Sequence, residues 1–299
     1  METTVETKIL KGKPVAAAVR EDVARRAGAL ATGGAPAKLA IVMVGDDPGS
    51  AIYSQSLTKA AGKVGIAADL VTVPGTAAPD EVAETIRRVD DDPTVTGIIV
   101  QQPLPKGIPS TVIEGVSAGK DVDCATTRSL GLLMAGAESF APATALSVIE
   151  ILAASDIPIS GRDVVIVGRS TVVGRPLASL LLRKSERGNA TVTVCHTRTR
   201  DIAAHTRGAD IVVAAMGVPA AIRGDMIGEG AVVVDVGTNR VDAPETEKGY
   251  KLVGDVDFDE VKEVAGALSP SPGGVGPMTI TLLLKNCLRG AELALAKVK

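Results

Sequence analysis

Two short stretches carry residue types that could do chemistry. The first is "VVIVGRSTVVGRP", residues 164–176. A β-branched apolar run ends at Gly168, a tight loop follows, and Gly174 opens a helical segment. Backbone amides at a helix N-terminus after a buried strand face anions, so the loop from Gly168 to Gly174 reads as a cradle for a dinucleotide pyrophosphate. The spacing is glycine, five residues, glycine, not G-x-G-x-x-G. The next strand, "ATVTVCH", lacks the terminal Asp or Glu that would hold a ribose 2′-hydroxyl. Thr197 and Arg198 follow His196 instead. With Arg169 they suit a 2′-phosphate, which favours NADP over NAD. The pair Cys195–His196 is not read as a metal or thiol centre, because strand neighbours point to opposite faces.

The second stretch is "SAIYSQSLTKA", residues 50–60, an amphipathic helix that presents Tyr53. At about 100° per residue, position 57 lies about 40° from Tyr53 and position 59 about 120° away on the other side. Lys59 therefore leaves the face of Tyr53, and the residue one turn on is Leu57.

Elements that could position these groups alternate along the chain. "KLAIVMVG", "AADLVTV" and "VTGIIVQ" read as strands separated by helices, which predicts a parallel α/β arrangement. The pattern restarts with "DVVIVGRS", "ATVTVCH", "DIVVAAMG", "GAVVVDVG" and the short "KLVGDVDF", a doubly wound sheet in outline. The fold class is α/β in two domains: 1–145, completed by a returning helix over 277–299, and a Rossmann-like domain over 146–276. The aspartate run 90–92 is expected to be a solvated helix end.

Composition excludes other classes. The chain has 299 residues, 45% of them hydrophobic, and a net charge of −3, which argues against nucleic acid as a partner. No apolar run approaches the ~20 residues of a membrane span. The N-terminus is polar and resembles no leader segment. Three separated cysteines suit reduced thiols in a cytoplasmic protein.

Taken together, "VGDDPGSAIY", "GIIVQQPLP", "KDVDC", "VGRSTVVGRP", "DVGTNR", "VGDVDF" and "PGGVGPMT" resemble the methylenetetrahydrofolate dehydrogenase/cyclohydrolase family, in order from about residue 8 to the last helix. The resemblance implies two α/β domains flanking a cleft, folate on the first and NADP on the second, and a homodimer. It also implies oxidation of 5,10-methylenetetrahydrofolate to the 5,10-methenyl form, with hydrolysis to 10-formyltetrahydrofolate in many members. By motif, Tyr53 would stack on the aminobenzoyl ring, Gln101 would be the glutamine of the active site, and Asp123 would hold the pterin. Pro272, Gly273, Gly274 and Pro277 would form a loop over the folate. Gly168, Arg169, Ser170, Val173, Gly174, His196, Thr197, Arg198, Gly237 and Thr238 would line the NADP site.

The departures gather on the folate side. Leu57 stands where the family has its catalytic lysine, Gln102 replaces a leucine, Cys124 a glycine, and "APATALS" the usual "PCTP" pattern. Hydride loss from the bridging methylene leaves an amidinium and needs no base. Ring-opening hydrolysis needs activated water and a protonated nitrogen, help worth about 10²–10⁴ in rate. The sequence thus predicts a dehydrogenase with weak or absent cyclohydrolase. The alternatives are a bifunctional enzyme in which Asp123, or a water on Gln101 and Gln102, covers for the lysine; a non-catalytic paralogue; or an enzyme for a related pterin carrier.

Overall fold

The computed structural model describes residues 6–246 and 249–298; the first five residues, part of the polar N-terminus read above, lie outside them. In chain order the elements are β1 (Lys8–Ile9), α1 (Gly12–Thr32), β2 (Lys38–Val44), α2 (Pro48–Lys63), β3 (Ala67–Val73), α3 (Pro79–Asp91) and β4 (Gly97–Val100). They continue with α4 (Thr127–Met134), α5 (Ala143–Ala154), β5 (Asp163–Val167), α6 (Gly174–Leu182), β6 (Thr191–Cys195), α7 (Ile202–Thr206) and β7 (Ile211–Ala214). The last are β8 (Val232–Asp235), β9 (Asn239–Asp242), β10 (Tyr250–Val253), α8 (Phe258–Lys262), β11 (Ala267–Ser269) and α9 (Thr279–Val298). The chain divides into two compact units: Ala17–Ala143 with Ile280–Lys299, and Met1–Ala16 with Thr144–Thr279.

The first of these units is built on a parallel three-stranded sheet, β3-β2-β4, with Val42 opposite both Val71 and Val100. All four residues of β4 are buried, as a central run of Ile and Val requires. On α3, Val82, Thr85, Ile86 and Val89 form the buried stripe of an amphipathic helix. On α2 the buried stripe is Ser50, Ser54, Leu57 and Ala61.

The last helix closes this unit. Asn286, buried on α9, donates through Nδ2 to the Val122 carbonyl at 2.8 Å and the Ala141 carbonyl at 2.9 Å. A β-carbon at Gly290 would sit 2.2 Å from the Thr96 oxygen, and one at Gly97 3.1 Å from Cys287 Sγ, so α9 lies against bare backbone. Near its end Glu292 takes a two-pronged bond from Arg26 of α1, 2.9 Å from Nε and 2.5 Å from Nη2.

The other unit holds a parallel sheet in the order β1-β11-β8-β7-β5-β6. The strands read from "DVVIV", "TVTVC", "IVVA" and "VVVD" are all there, and β5 to β8 each contribute to its core through Val165, Val167, Cys195, Val212, Ala214 and Val233. Two further strands, β1 and β11, have two and three residues. Such short pieces show no periodicity to read. The strand read in "KLVGDVDF" is β10; among the described residues it pairs with β9 alone, as an antiparallel hairpin outside the main sheet.

The aspartate run is more than a solvated end. Asp90 Oδ1 accepts from both the amide and the hydroxyl of Ser117 at 2.9 Å, and Lys120 Nζ caps the carbonyls of Asp90 and Asp92. The end of α3 thereby anchors the loop that leads to Asp121 and Asp123.

Replacing Asn286 with Ala strands two buried carbonyls, and about 2 kcal/mol or more should be lost. Urea unfolding followed by circular dichroism measures this; a midpoint equal to that of the wild type would contradict the anchoring role.

Candidate active site

The start of α2 is fixed by Asp47, whose Oδ2 accepts from the Ser50 amide at 2.8 Å, with Pro48 in the first turn. Those bonds hold the Asp47 carboxyl below the usual carboxylate range. Ser50 Oγ then donates to the Gln102 carbonyl at 3.2 Å, tying the helix to the segment that leaves β4. Gln101 donates its amide to the Val42 carbonyl at 2.8 Å and so extends β4 by one residue. Its side chain is 7% exposed, and its amide nitrogen has no partner among the described residues; neither has the buried hydroxyl of Ser54. A buried amide donor left unpaired is uncommon in native proteins and points to a polar ligand.

Asp123 sits on a braced turn. Asp121 is buried and accepts from the amides of Ala125 and Thr126 and from the Thr126 hydroxyl. Asp121 also bridges Ile98 of β4 in the parallel sense, so Asp123 and Gln101 lie just beyond the same point of two chains running side by side. Burial, with the charge of Asp121 beside it, pushes the Asp123 carboxyl up to about 6. Burial and the charge of Asp123 push the Tyr53 phenol up to about 12. Tyr53 and Asp123 therefore share one environment, in which the phenol stays neutral and the carboxyl titrates just below neutrality. Cys124 follows with φ of 53°, a left-handed conformation that glycine adopts freely and cysteine does not.

Leu57 has no exposed surface and lies on the buried stripe of α2, whereas Lys59 is exposed. The helical phase inferred from sequence holds: Lys59 does not join Tyr53. Gln102, read as a possible holder of water, is exposed and contributes its carbonyl to Ser50.

In the other unit the predicted cofactor residues gather at the C-terminal ends of the strands. A β-carbon at Gly168 would come 2.1 Å from the Ala215 oxygen, and one at Gly174 2.1 Å from the Gly168 oxygen. Only glycines allow this approach. Ser170 Oγ accepts from the Val173 amide at 3.0 Å, which shapes the loop before α6. After β6, the His196 amide donates to Thr199 Oγ1 and His196 Nδ1 accepts from the Arg198 amide at 3.1 Å. This turn leaves Thr197 and Arg198 exposed. Arg169, Arg198 and Arg200 have no ion-pair partner among the described residues, and Asp201, the acid next in sequence, is engaged in capping α7 through the Ala204 amide. Glycines that admit a backbone-lined phosphate and unpaired arginines beside it fit NADP.

Gly237 and Thr238 follow β8. Ser271 Oγ donates to the Gly237 carbonyl, so this loop meets the Pro272–Gly274 loop. Gly274 donates to the Pro270 carbonyl, and Gly12 to that of Gly273. Pro277 lies in a short 3₁₀ turn, Gly276–Met278, just before α9. Sequence reasoning missed two buried carboxylates behind these loops, Asp235 and Asp255, although both lie in quoted motifs. Their signal was the glycine beside each: β-carbons at Gly254 and Gly237 would fall 1.6 Å and 2.2 Å from carboxylate oxygens of Asp235 and Asp255.

A doubly wound sheet with a glycine-cradled phosphate loop and no acid at the ribose position defines an NADP-binding oxidoreductase unit. The comparisons agree. The NAD(P)-binding domain of tetrahydrofolate dehydrogenase/cyclohydrolase matches residues 142–295, and the catalytic domain of the same enzymes matches 10–123. The chain belongs to the tetrahydrofolate dehydrogenase/cyclohydrolase family. It is 47% identical over 288 residues to the bifunctional protein FolD of Natronomonas pharaonis, covering 96% of this chain and 97% of that one. The crystal structure of the bifunctional FolD of Campylobacter jejuni superposes with a TM-score of 0.89 at 39% identity, covering 96% and 99% of the two chains. The Trypanosoma brucei dehydrogenase-cyclohydrolase, complexed with NADP cofactor and an inhibitor, gives 0.88 at 34% identity over 97% and 99%.

Two outcomes follow. Because folding raises the Asp123 pKa, the native state holds its proton longer than the unfolded chain does. Its contribution to stability is therefore present at low pH and declines as pH rises from about 4 to about 6. Asp123→Asn should flatten that part of the stability–pH curve; a variant as steep as the wild type would refute the shift. Gly168→Ala should weaken NADP binding at least about tenfold, since the loop must open to admit the methyl group. Calorimetric titration with NADP tests this, and unaltered affinity would contradict it.

Proposed function

We propose that the protein oxidises 5,10-methylenetetrahydrofolate with NADP and hydrolyses the methenyl product weakly or not at all. The observation that carries this reading is Leu57, a fully buried aliphatic residue one helical turn from Tyr53 where the family resemblance calls for a lysine. When bound, NADP supplies a hydride acceptor. The chain's own residues then have to hold the folate: Tyr53 as a flat, neutral platform, the unpaired Gln101 amide as a donor, and Asp123 as an acceptor for the pterin. None of these tasks consumes or delivers a proton during hydride loss, because the cation that forms is shared by two nitrogens. The reaction is limited mainly by position.

Hydrolysis asks for more. Water must give up a proton as it attacks, and the leaving nitrogen must gain one. Leu57 does neither, and Lys59 faces away. The relatives named bifunctional support a second reading, and one local observation favours it. Asp123, with a pKa of about 6, is a competent proton acceptor near neutral pH. We rank it second because the same carboxylate is assigned to the pterin.

In this reading residues 1–145 with 277–299 form the folate half and 146–276 the NADP half, except that β1 at the start of the chain pairs into the sheet of the NADP half. We read the enzyme as a homodimer on the family resemblance, and as cytoplasmic on its three separated, buried cysteines. Among the described residues no helix is long and apolar enough to cross a membrane.

The test supplies methenyltetrahydrofolate and follows its decay against buffer. Decay at the buffer rate is expected, and restoring Leu57→Lys should accelerate it by about 10²-fold or more while lowering thermal stability, since an ammonium enters a packed stripe. Fast hydrolysis by the wild type that vanishes in Asp123→Asn would establish the second reading. No NADPH from methylenetetrahydrofolate would identify a non-catalytic paralogue or a different pterin carrier.

A further inference from the structure

Asp255 has no exposed surface, and no lysine or arginine pairs with it among the described residues. Four N–H donors hold its charge instead. The amides of Met216, Gly217 and Val218 donate at 2.6, 2.8 and 3.1 Å, and Asn239 Nδ2 at 2.8 Å. Asp235, also buried, supports it from behind: its carboxylate accepts from the amides of Gly237, Asp255 and Val256 at 2.9, 3.0 and 3.2 Å. The two carboxylates thus clamp the loop after β7 and the loop after β8. Removing a charge-assisted acceptor from three successive amides would leave them unpaired in the interior.

The place of this clamp in the sheet gives it a use. From β5 the chain steps to β6 on one side and then crosses to β7 on the other. Ligands of such sheets lie over the carboxyl ends of the strands at this reversal. Thr197 and Arg198 follow β6, the side read as holding the 2′-phosphate of the adenosine half. A dinucleotide crossing the reversal therefore lays its other half over β7 and β8, above the loops that Asp255 holds. The Ala215 carbonyl, one residue before the clamped amides, is the atom that abuts Gly168, so the clamped loop also adjoins the phosphate loop.

We infer that Asp255 is a positioning residue for the nicotinamide half of the bound cofactor, acting by fixing residues 216–218 and Asn239 and leaving the adenosine half to the β6 side. This rests on the placement of NADP given above. Its prediction is a split between ligands that a general loss of structure would not produce.

Asp255→Asn and Asn239→Ala are to be titrated calorimetrically with NADP and with adenosine 2′,5′-bisphosphate, which lacks the nicotinamide half. In Asp255→Asn, NADP should bind roughly tenfold more weakly, the scale of a lost charge-assisted bond, while the bisphosphate binds as to the wild type. Amide hydrogen exchange should quicken at 216–218 and not at 169–174. Wild-type NADP affinity in a folded Asp255→Asn protein, or an equal loss for both ligands, would overturn the inference. If Asp255→Asn does not fold, as circular dichroism will show, Asn239→Ala carries the test: a smaller loss confined to NADP supports the inference and no split overturns it. A wild-type protein that binds NADP but not the bisphosphate would overturn the cofactor placement, and the inference with it.

Discussion

Backbone packed too closely for a β-carbon is the constraint on which the nucleotide-binding unit depends. Gly168 meets Ala215, Gly174 meets Gly168, and Gly254 and Gly237 meet the buried carboxylates of Asp235 and Asp255. The contact of Gly174 with Gly168 closes the phosphate loop on itself, the others bring a loop at the carboxyl edge of the sheet to its neighbour, and each fails with any larger residue. The result is an edge made of main chain, with amides and carbonyls fixed in place and little side-chain entropy left to lose when a dinucleotide binds. The other unit uses the same device, where Gly97 and Gly290 let α9 settle against β4 and the Thr96 carbonyl.

The two units differ in how completely they match the demands of their ligands. Around the nucleotide loop the charges are what a 2′-phosphate needs, and Asp201, next to Arg200 in sequence, is occupied as a helix cap. Around Tyr53 the polar inventory is short. The proposed folate site offers a neutral phenol, one amide with an unused nitrogen and one carboxyl to recognise a pterin and its aryl tail. The only one of these that exchanges a proton near neutral pH is Asp123. On the reading proposed above, a hydride transfer tolerates that inventory and a hydrolysis is poorly served by it.

Much of this was legible in the sequence because it rests on period and spacing. The buried strands β2, β4, β5, β7 and β8 are runs of Val and Ile, and the phase of α2 already separates Lys59 from Tyr53. What was illegible depends on contacts distant along the chain. β1 and β11 are strands only because each pairs with a neighbour, and two or three residues carry no pattern of their own. The roles of Asp235, Asp255 and Asn286 come from backbone groups 20, 39 and 164 residues away, which no local reading can supply. Asp90 looked like surface charge for the same reason: its partner, Ser117, is 27 residues on.

The central claim is that oxidation has been kept and hydrolysis has not, and the composition of the product tests it most directly. Supplied with methylenetetrahydrofolate and NADP, the enzyme should release NADPH and methenyltetrahydrofolate in a one-to-one ratio, with 10-formyltetrahydrofolate appearing no faster than methenyltetrahydrofolate opens in buffer. Formyl product that keeps pace with NADPH from the first turnovers would contradict the account.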